Sequence, residues 1–473
     1  MTITFGTDGW RGIISRDFTF ANVRRVVAAI GAYLEEQGTS NHGVAVAYDR
    51  RFLSEQYAAE AAGVLAASGV PVQLAATPLP TPVLSWAVRQ GGLGGGIMIT
   101  ASHNPPAWNG IKFKESFGGP ARGPACRRIE ELLAGPSPAG DDIACLPPDR
   151  LGRCSLVSVL DAWEGYGEAL QRLVDFDALR RAGPRVAVDC MHGSGTPWLR
   201  RLLEQAGCHV VELHGDHNPG FRGVPPEPIA ANLAELEEAV RVEGCRLGLA
   251  TDGDADRIGA VDERGRYFST QRIFAVLLHY LREHKGLRGD AAKAVSATSM
   301  IDLLASRHGF EVVLTPIGFK HLAAAMLERD ILIGGEESGG IGISAHLPER
   351  DGLLNALLLA EIVATGSGLR EYVQQIFDEV GYFTYDRIDL RLDREAIQAV
   401  RDRMGALREV GSLAGRPVRE VLALDGTRLL RDDASWLLIR PSGTEPLLRI
   451  YAEARSRAEV EELLREGRRL AGL

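Results

Sequence analysis

The chain has 473 residues, 45% of them hydrophobic and 24% charged, with 53 basic against 62 acidic side chains and a formal net charge of -9. That length exceeds one core and fits about three or four domains of ~100–200 residues, while the acidic balance offers no general attraction for nucleic acid or anionic lipid. The six cysteines have neither a CxxC pair nor regular spacing, which argues against a disulfide framework or a cysteine zinc site. No signal peptide and no apolar run of ~18 residues is apparent, so a cytoplasmic protein without membrane or nucleic-acid partners is expected.

In chain order, a Gly-rich segment at 5–12 (FGTDGWRG) carries Asp8 and Arg11 ahead of a helical pattern that starts near residue 20. A strand at 43–48, an Ala-rich helix ending near 69, a strand at 70–75, a turn at 77–82 and a helix through 89 follow. The apolar strand 97–99 then opens into TASHNPPAWNGIK, where Pro105 and Pro106 cannot continue a strand. Such alternation predicts a mostly parallel, helix-covered sheet whose ligands sit beyond the carboxyl ends of its strands. Residues 115–150 read as loops and a short helix.

The same order returns with strands at 185–188, 209–213 and 246–250 and helices at 196–206 and 230–242, ending in TDGDADR at 251–257. It returns again with strands at 294–297, 311–314 and 331–333 and helices at 300–308 and 321–328, ending in GGEESGG at 334–340. If each loop lies at its sheet's carboxyl edge, three domains can face one cleft. Beyond a boundary near 366–368 come a helix at 369–380, an alternating strand at 382–392 and a helix from 394. A strand at 436–439 enters RPSGTEP at 440–446, and a strand at 448–454 and a charged helix at 458–470 complete a small α+β domain. The expected domains are 1–155, 156–260, 261–367 and 368–473.

Four loops offer chemistry. Ser102, placed at a strand end beside His103 and one loop before Lys112, presents a hydroxyl to groups that can move a proton or hold an anion. A turn in which Ser102 and Asn104 only bond local backbone is the alternative, and the rest of the chain favours the site. Asp252, Asp254 and Asp256 alternate so that three hard oxygen ligands can meet, which suits Mg²⁺. Glu336 and Ser338 supply the acceptor and the mixed donor–acceptor that a pair of sugar hydroxyls requires, although a plain surface turn would read the same. Arg440, Ser442, Gly443 and Thr444 form a candidate phosphate cradle of guanidinium, hydroxyls and backbone amides.

Together TASHNP, TDGDADR, GEESGG and RPSGTEP, in this order from residue 100 to 446, resemble the signature loops of the α-D-phosphohexomutase superfamily, as do FGTDGWRG and the NGIK of 109–112. The resemblance implies an α/β protein: three related doubly wound domains and a C-terminal α+β, TATA-binding-protein-like domain around a central cleft. It makes Ser102 the phosphoserine and, through its phosphate, a metal ligand beside Asp252, Asp254 and Asp256. It makes Glu336 and Ser338 the sugar contacts, and Arg440, Ser442, Gly443 and Thr444 the cradle for the phosphate that does not react. Arg11, Lys112 and Arg257 match basic positions near the transferring group, and His103 is an acid–base candidate.

The implied activity interconverts hexose 1- and 6-phosphates, glucose above all, with Mg²⁺ and with glucose 1,6-bisphosphate as intermediate and activator, in a monomer or homodimer. Gly340 stands where enzymes acting on mannose or glucosamine phosphates often carry the His of GE-x-SGH, whereas HLPERDG at 346–352 resembles the glucose type. Mannose or glucosamine phosphate as substrate, a phosphatase, and an inactive sugar-phosphate-binding protein are the alternatives. Intact Ser102 and aspartates argue against the last.

Overall fold

Strands such as VAVAY and GGIMI are apolar along their whole length, so they are stable only where both sheet faces are covered. The structure, a computed structural model, describes residues 3–6, 8–135, 140–442 and 446–473. In the first sheet, β1 (Trp10–Ile13), β2 (Val44–Tyr48), β3 (Val72–Ala75), β4 (Gly95–Ile99), β5 (Trp108–Glu115) and β6 (Val157–Leu160) lie in the order β1-β5-β4-β2-β3-β6. In the second, β7 (Arg185–Asp189), β8 (His209–Leu213), β9 (Leu247–Thr251), β10 (Ile258–Val261) and β11 (Tyr267–Phe268) lie in the order β11-β10-β9-β7-β8. In the third, β12 (Asp290–Ala294), β13 (Val312–Thr315), β14 (Ile331–Gly335) and β15 (Ile341–Ile343) lie in the order β13-β12-β14-β15.

One plan underlies all three sheets. Three parallel strands are arranged third, first, second, and an antiparallel strand then returns along the third. The Ser102, Asp252 and Glu336 loops each connect the third parallel strand to its return strand, so all three occupy the same place in their units. Parallel pairs need crossovers, and helices Ser54–Ala67, Thr81–Gln90, Trp198–Gln205, Ala234–Val242, Met300–His308 and Phe319–Glu328 supply them.

Some expectations shift. The strand expected at 294–297 is Asp290–Ala294, and NGIK lies within strand β5. β6 follows residue 155 but pairs in parallel with β3, so the first sheet extends past the expected limit of its domain. Helix Gly352–Ala364 lies within 261–367 but packs on the second sheet, against β9 and β10 and helix Trp198–Gln205. The three units therefore share one continuous apolar core, built from residues between Ile3 and Phe383.

The fourth unit stands on its own core. Strands β16 (Thr384–Arg391), β17 (Ser412–Leu413), β18 (Arg416–Leu422), β19 (Thr427–Arg431), β20 (Trp436–Pro441) and β21 (Leu447–Ala454) form an antiparallel sheet in the order β16-β21-β20-β19-β18-β17. Leu437, Ile439, Leu448 and Ile450 pack with Val460 and Leu463 of helix Arg457–Ala471. Glu453 accepts from the Ser299 amide of the third unit and from Trp436 Nε1 of its own sheet, each at 2.8 Å. No single helix among the described residues is long and apolar enough to cross a membrane.

Candidate active site

Ser102 leaves β4 with φ at +53°, a left-handed conformation that non-glycine residues rarely adopt and that clusters at functional sites. Arg51 holds it there. The buried guanidinium donates from Nη2 to the carbonyls of Ser102 and Asn104, both at 2.6 Å, and from Nη1 to those of Pro105 and Trp108, both at 3.0 Å. Asp49 pairs with Arg51 Nε at 3.2 Å and accepts from Thr100 Oγ1 at 2.6 Å and Ser54 Oγ at 2.8 Å. The loop thus rests on a buried ion pair whose fork matches four carbonyls, an arrangement that a point-charge lysine could not reproduce.

Ser102 Oγ donates to Asp252 Oδ2 at 2.8 Å and lies 3.3 Å from His103 Nδ1. Desolvation, and then the cations Arg257 and Arg11, hold the His103 imidazole well below its ordinary pKa, so it is neutral. Arg11 itself donates to Asn104 Oδ1 at 2.8 Å, which sets it over the same loop.

The acidic loop closes on Ser102 from the second unit. At Gly253 a Cβ would lie 2.5 Å from the Ser102 carbonyl oxygen, so only glycine permits this approach. Lys112 Nζ stands 2.7 Å from Asp254 Oδ2, 2.7 Å from Asp256 Oδ2 and 2.8 Å from Asp8 Oδ2. Thr81 Oγ1 donates to Asp254, and the Thr81 amide donates to the Asp254 carbonyl at 2.9 Å. Burial, and then the neighbouring Asp254 and Asp256, push Asp252 well above the usual carboxylate range.

These residues fit a hard divalent cation. One carboxylate oxygen from each of the three aspartates lies within 4.8 Å of the others. The Oδ1 atoms of Asp254 and Asp256 are buried with no hydrogen-bond partner among the described residues, and such orphaned acceptors are costly unless a cation meets them.

The third unit joins the second by an antiparallel bridge between Arg257 and Gly340, and the Ile258 amide donates to the Gly339 carbonyl at 3.1 Å. Arg257 Nε lies 3.9 Å from Asp252 Oδ2. Glu336 is buried and accepts from the Gly318 amide at 2.9 Å; its burial, against the pull of Arg350, raises its pKa to about 7. Ser338 is half-buried on the same loop. Arg350 links three units: Nη2 is 2.5 Å from Asp8 Oδ2 and 2.9 Å from Asp256 Oδ2. In the fourth unit Arg440 Nε donates to Asp425 Oδ1 at 2.9 Å, and Asp425 Oδ2 accepts from the Ile317 amide at 3.0 Å. The Ser442 amide donates to the Leu447 carbonyl at 2.7 Å. Gly443 and Thr444 lie outside the described residues.

The structure therefore gathers Arg11, Ser102, His103, Lys112, Asp252, Asp254, Asp256 and Arg257 at one point, next to the Glu336 loop. Arg51, Asp8 and Arg350 belong to this assembly although the sequence assigns them no role, because their partners lie far away in the chain.

Three α/β units that bring a serine, three aspartates and a ring of cations together, with an α+β unit beside them, define a phosphoryl-transfer enzyme. Models of phosphoglucomutase/phosphomannomutase match throughout: alpha/beta/alpha domain I at 2–138, domain II at 164–265, domain III at 269–380 and the C-terminal domain at 388–469. A phosphoglucomutase/phosphomannomutase of Thermococcus kodakarensis is 32% identical, with 98% of both chains covered. A phosphoglucosamine mutase of Carboxydothermus hydrogenoformans is 31% identical, with 98% of this chain and 97% of that protein covered. A crystal structure from Thermus thermophilus, provisionally assigned as a phosphomannomutase, superposes with a TM-score of 0.87 at 38% identity over the whole of both chains. The chain belongs to the phosphoglucomutase/phosphomannomutase family of the α-D-phosphohexomutase superfamily, and it is a phosphohexomutase, an isomerase of the intramolecular phosphotransferase type.

Proposed function

We propose that the chain exchanges phosphate between the 1- and 6-positions of glucose through a phosphorylated Ser102 and a hexose 1,6-bisphosphate. The observation that carries this reading is Ser102 Oγ bonded to Asp252 at 2.8 Å beside three clustered carboxylates and Lys112. Asp252, Asp254, Asp256 and the Ser102 phosphate would hold Mg²⁺, which when bound neutralises charge on the transferring group.

This chain's own residues do the rest. Arg51 fixes the backbone that carries Ser102, and Arg11, Lys112 and Arg257 offer N–H donors to phosphoryl oxygens. Neutral His103, the acid–base candidate beside Ser102, accepts a proton from the attacking sugar hydroxyl and returns it in the reverse step. Glu336 and Ser338 meet sugar hydroxyls, and Arg440 and Ser442 hold the distal phosphate with Gly443 and Thr444. Ser102 is fully buried, so entry of a hexose phosphate requires these loops to part. The partner is a hexose phosphate, and the chain works in the cytoplasm as a monomer or homodimer.

For the sugar, the pairing of Gly340 with Arg350 supports glucose. A Cβ at 340 would lie 2.5 Å from Arg350 Cδ, so a histidine at 340 would require the Arg350 side chain, tied to Asp8 and Asp256, to move. Glucosamine phosphate is the second reading, favoured by relatives such as the Carboxydothermus phosphoglucosamine mutase. Parallel measurement of kcat/KM on glucose, mannose and glucosamine 1-phosphates decides: the highest value is expected for glucose, and a higher one for glucosamine overturns the assignment. Release of inorganic phosphate without isomerisation would indicate a phosphatase.

A further inference from the structure

Away from the catalytic loops, a second group of ligating side chains lies where three helices end together. His279 stands in the last turn and a half of helix Thr270–Glu283, His308 closes helix Met300–His308, and Glu379 lies at the end of helix Leu369–Val380. The Glu379 carboxylate faces both rings, with Oε1 3.2 Å from His279 Nε2 and Oε2 2.8 Å from His308 Nε2. One ligand atom from each residue lies within 4.8 Å of the other two. Donors bound at ~2.0–2.2 Å to a shared tetrahedral ion stand ~3.3 Å apart, close to both His–Glu separations.

The outer ring nitrogens give an independent pointer. His279 Nδ1 is 3.0 Å from Tyr372 Oη, and His308 Nδ1 is 3.4 Å from Glu283 Oε1. Metal-binding imidazoles are oriented in this way, with the second nitrogen engaged by a carboxylate or other polar group. With a cation bound, the protons would sit on Nδ1 of both rings, facing Tyr372 and Glu283, and the two Nε2 lone pairs and the Glu379 carboxylate would serve as its ligands. His279 is buried, whereas the His308 and Glu379 side chains are 22% and 23% exposed, which leaves a path from solvent. Arg307 Nε reaches Glu379 Oε2 at 3.5 Å from the exposed side and can yield that oxygen.

We propose that His279, His308 and Glu379 bind a late first-row divalent cation such as Zn²⁺, with a further position open to water, at a site separate from the acidic triad. Two imidazoles suit such an ion and not Mg²⁺ or Ca²⁺, which take oxygen. The ion would fasten the end of the helix that leads into β16, at the root of the fourth unit, to two helices of the third.

The test uses the full chain and Zn²⁺ as the probe, with excess Mg²⁺ present to fill the acidic triad. The parent and Asp254→Asn should each retain one Zn²⁺ per chain through gel filtration. His279→Gln and His308→Gln should lose it, and Glu283→Gln should weaken it by about 10- to 100-fold. Co²⁺ should give the visible absorption bands of a low-coordinate ion in the parent and not in His308→Gln. His308 is partly exposed, so that variant is expected to keep the parental circular dichroism and carries the test if His279→Gln misfolds. A parent that holds no Zn²⁺ under excess Mg²⁺ overturns the proposal, as does an equivalent that His308→Gln retains or that Asp254→Asn abolishes.

Discussion

Arg51→Lys isolates the support of the Ser102 loop from its chemistry, because Arg51 lies behind Ser102, donates to backbone carbonyls and forms an ion pair with Asp49. A lysine keeps the charge opposite Asp49 but cannot span carbonyls at residues 102, 104, 105 and 108, so at least two charge-assisted bonds are lost. Each is worth about 1.5–3 kcal/mol and they are not additive. Removing one partner of a buried pair costs about 3–5 kcal/mol in all, which bounds Arg51→Ala and places Arg51→Lys at about 2–3 kcal/mol. The freed loop no longer holds Ser102 at its left-handed φ, and a misplacement of about 1 Å costs on the order of 100-fold in rate. Turnover on glucose 1-phosphate should therefore fall about 100-fold with little change in KM, and denaturant unfolding should show the loss of stability. Arg51→Lys with kcat within about threefold of the parent and an unchanged midpoint would refute the reasoning.

Asp254→Asn removes a charged oxygen from the acidic triad while keeping the loop's shape, so activity should demand much more Mg²⁺, and a magnesium titration that overlays the parent's would exclude these aspartates as the metal site. Arg440→Ala should raise KM and also lower kcat, because binding energy at the distal phosphate helps position the reacting one; steady-state kinetics on glucose 1-phosphate reads both constants, and unchanged values would remove the fourth unit from catalysis. Glu336 has a folded pKa of about 7 against an ordinary 4.5, so it favours the folded state below 4.5 and that contribution is lost as pH rises through 7. Thermal melts of the sugar-free protein should show the parent losing up to about 3 kcal/mol relative to Glu336→Gln between about pH 4.5 and pH 8, and parallel curves would show that Glu336 titrates normally.

The chemistry was legible where it is written locally. TASHNP, TDGDADR and GEESGG are short polar strings after apolar strands, and the structure sets all three in the same connection, from third parallel strand to return strand. The α/β class and the four-unit plan were legible for the same reason. What escaped depends on distance or on the lack of a pattern. Arg350 reaches Asp8 across 342 positions, and Arg51 reaches Ser102 across 51; neither separation leaves a mark on the local sequence. Helix Gly352–Ala364 is buried on nearly every side, so it shows no amphipathic stripe to announce it. The strand expected at 294–297 begins at Asp290, because Lys293 is buried in the strand against Asp302 and interrupts the apolar run.

The central claim is that a phosphoryl group passes through Ser102 to a hexose and stays on the sugar. Purified protein, labelled with ³²P from glucose 1,6-bisphosphate and mapped by peptide mass spectrometry, should carry the label on Ser102, and Ser102→Ala should take up none. Chased with unlabelled glucose 1-phosphate, that label should appear in the hexose bisphosphate and then in glucose 6-phosphate, with no inorganic phosphate formed. Label on another residue, undiminished turnover by Ser102→Ala, or transfer of the label to water would contradict the account.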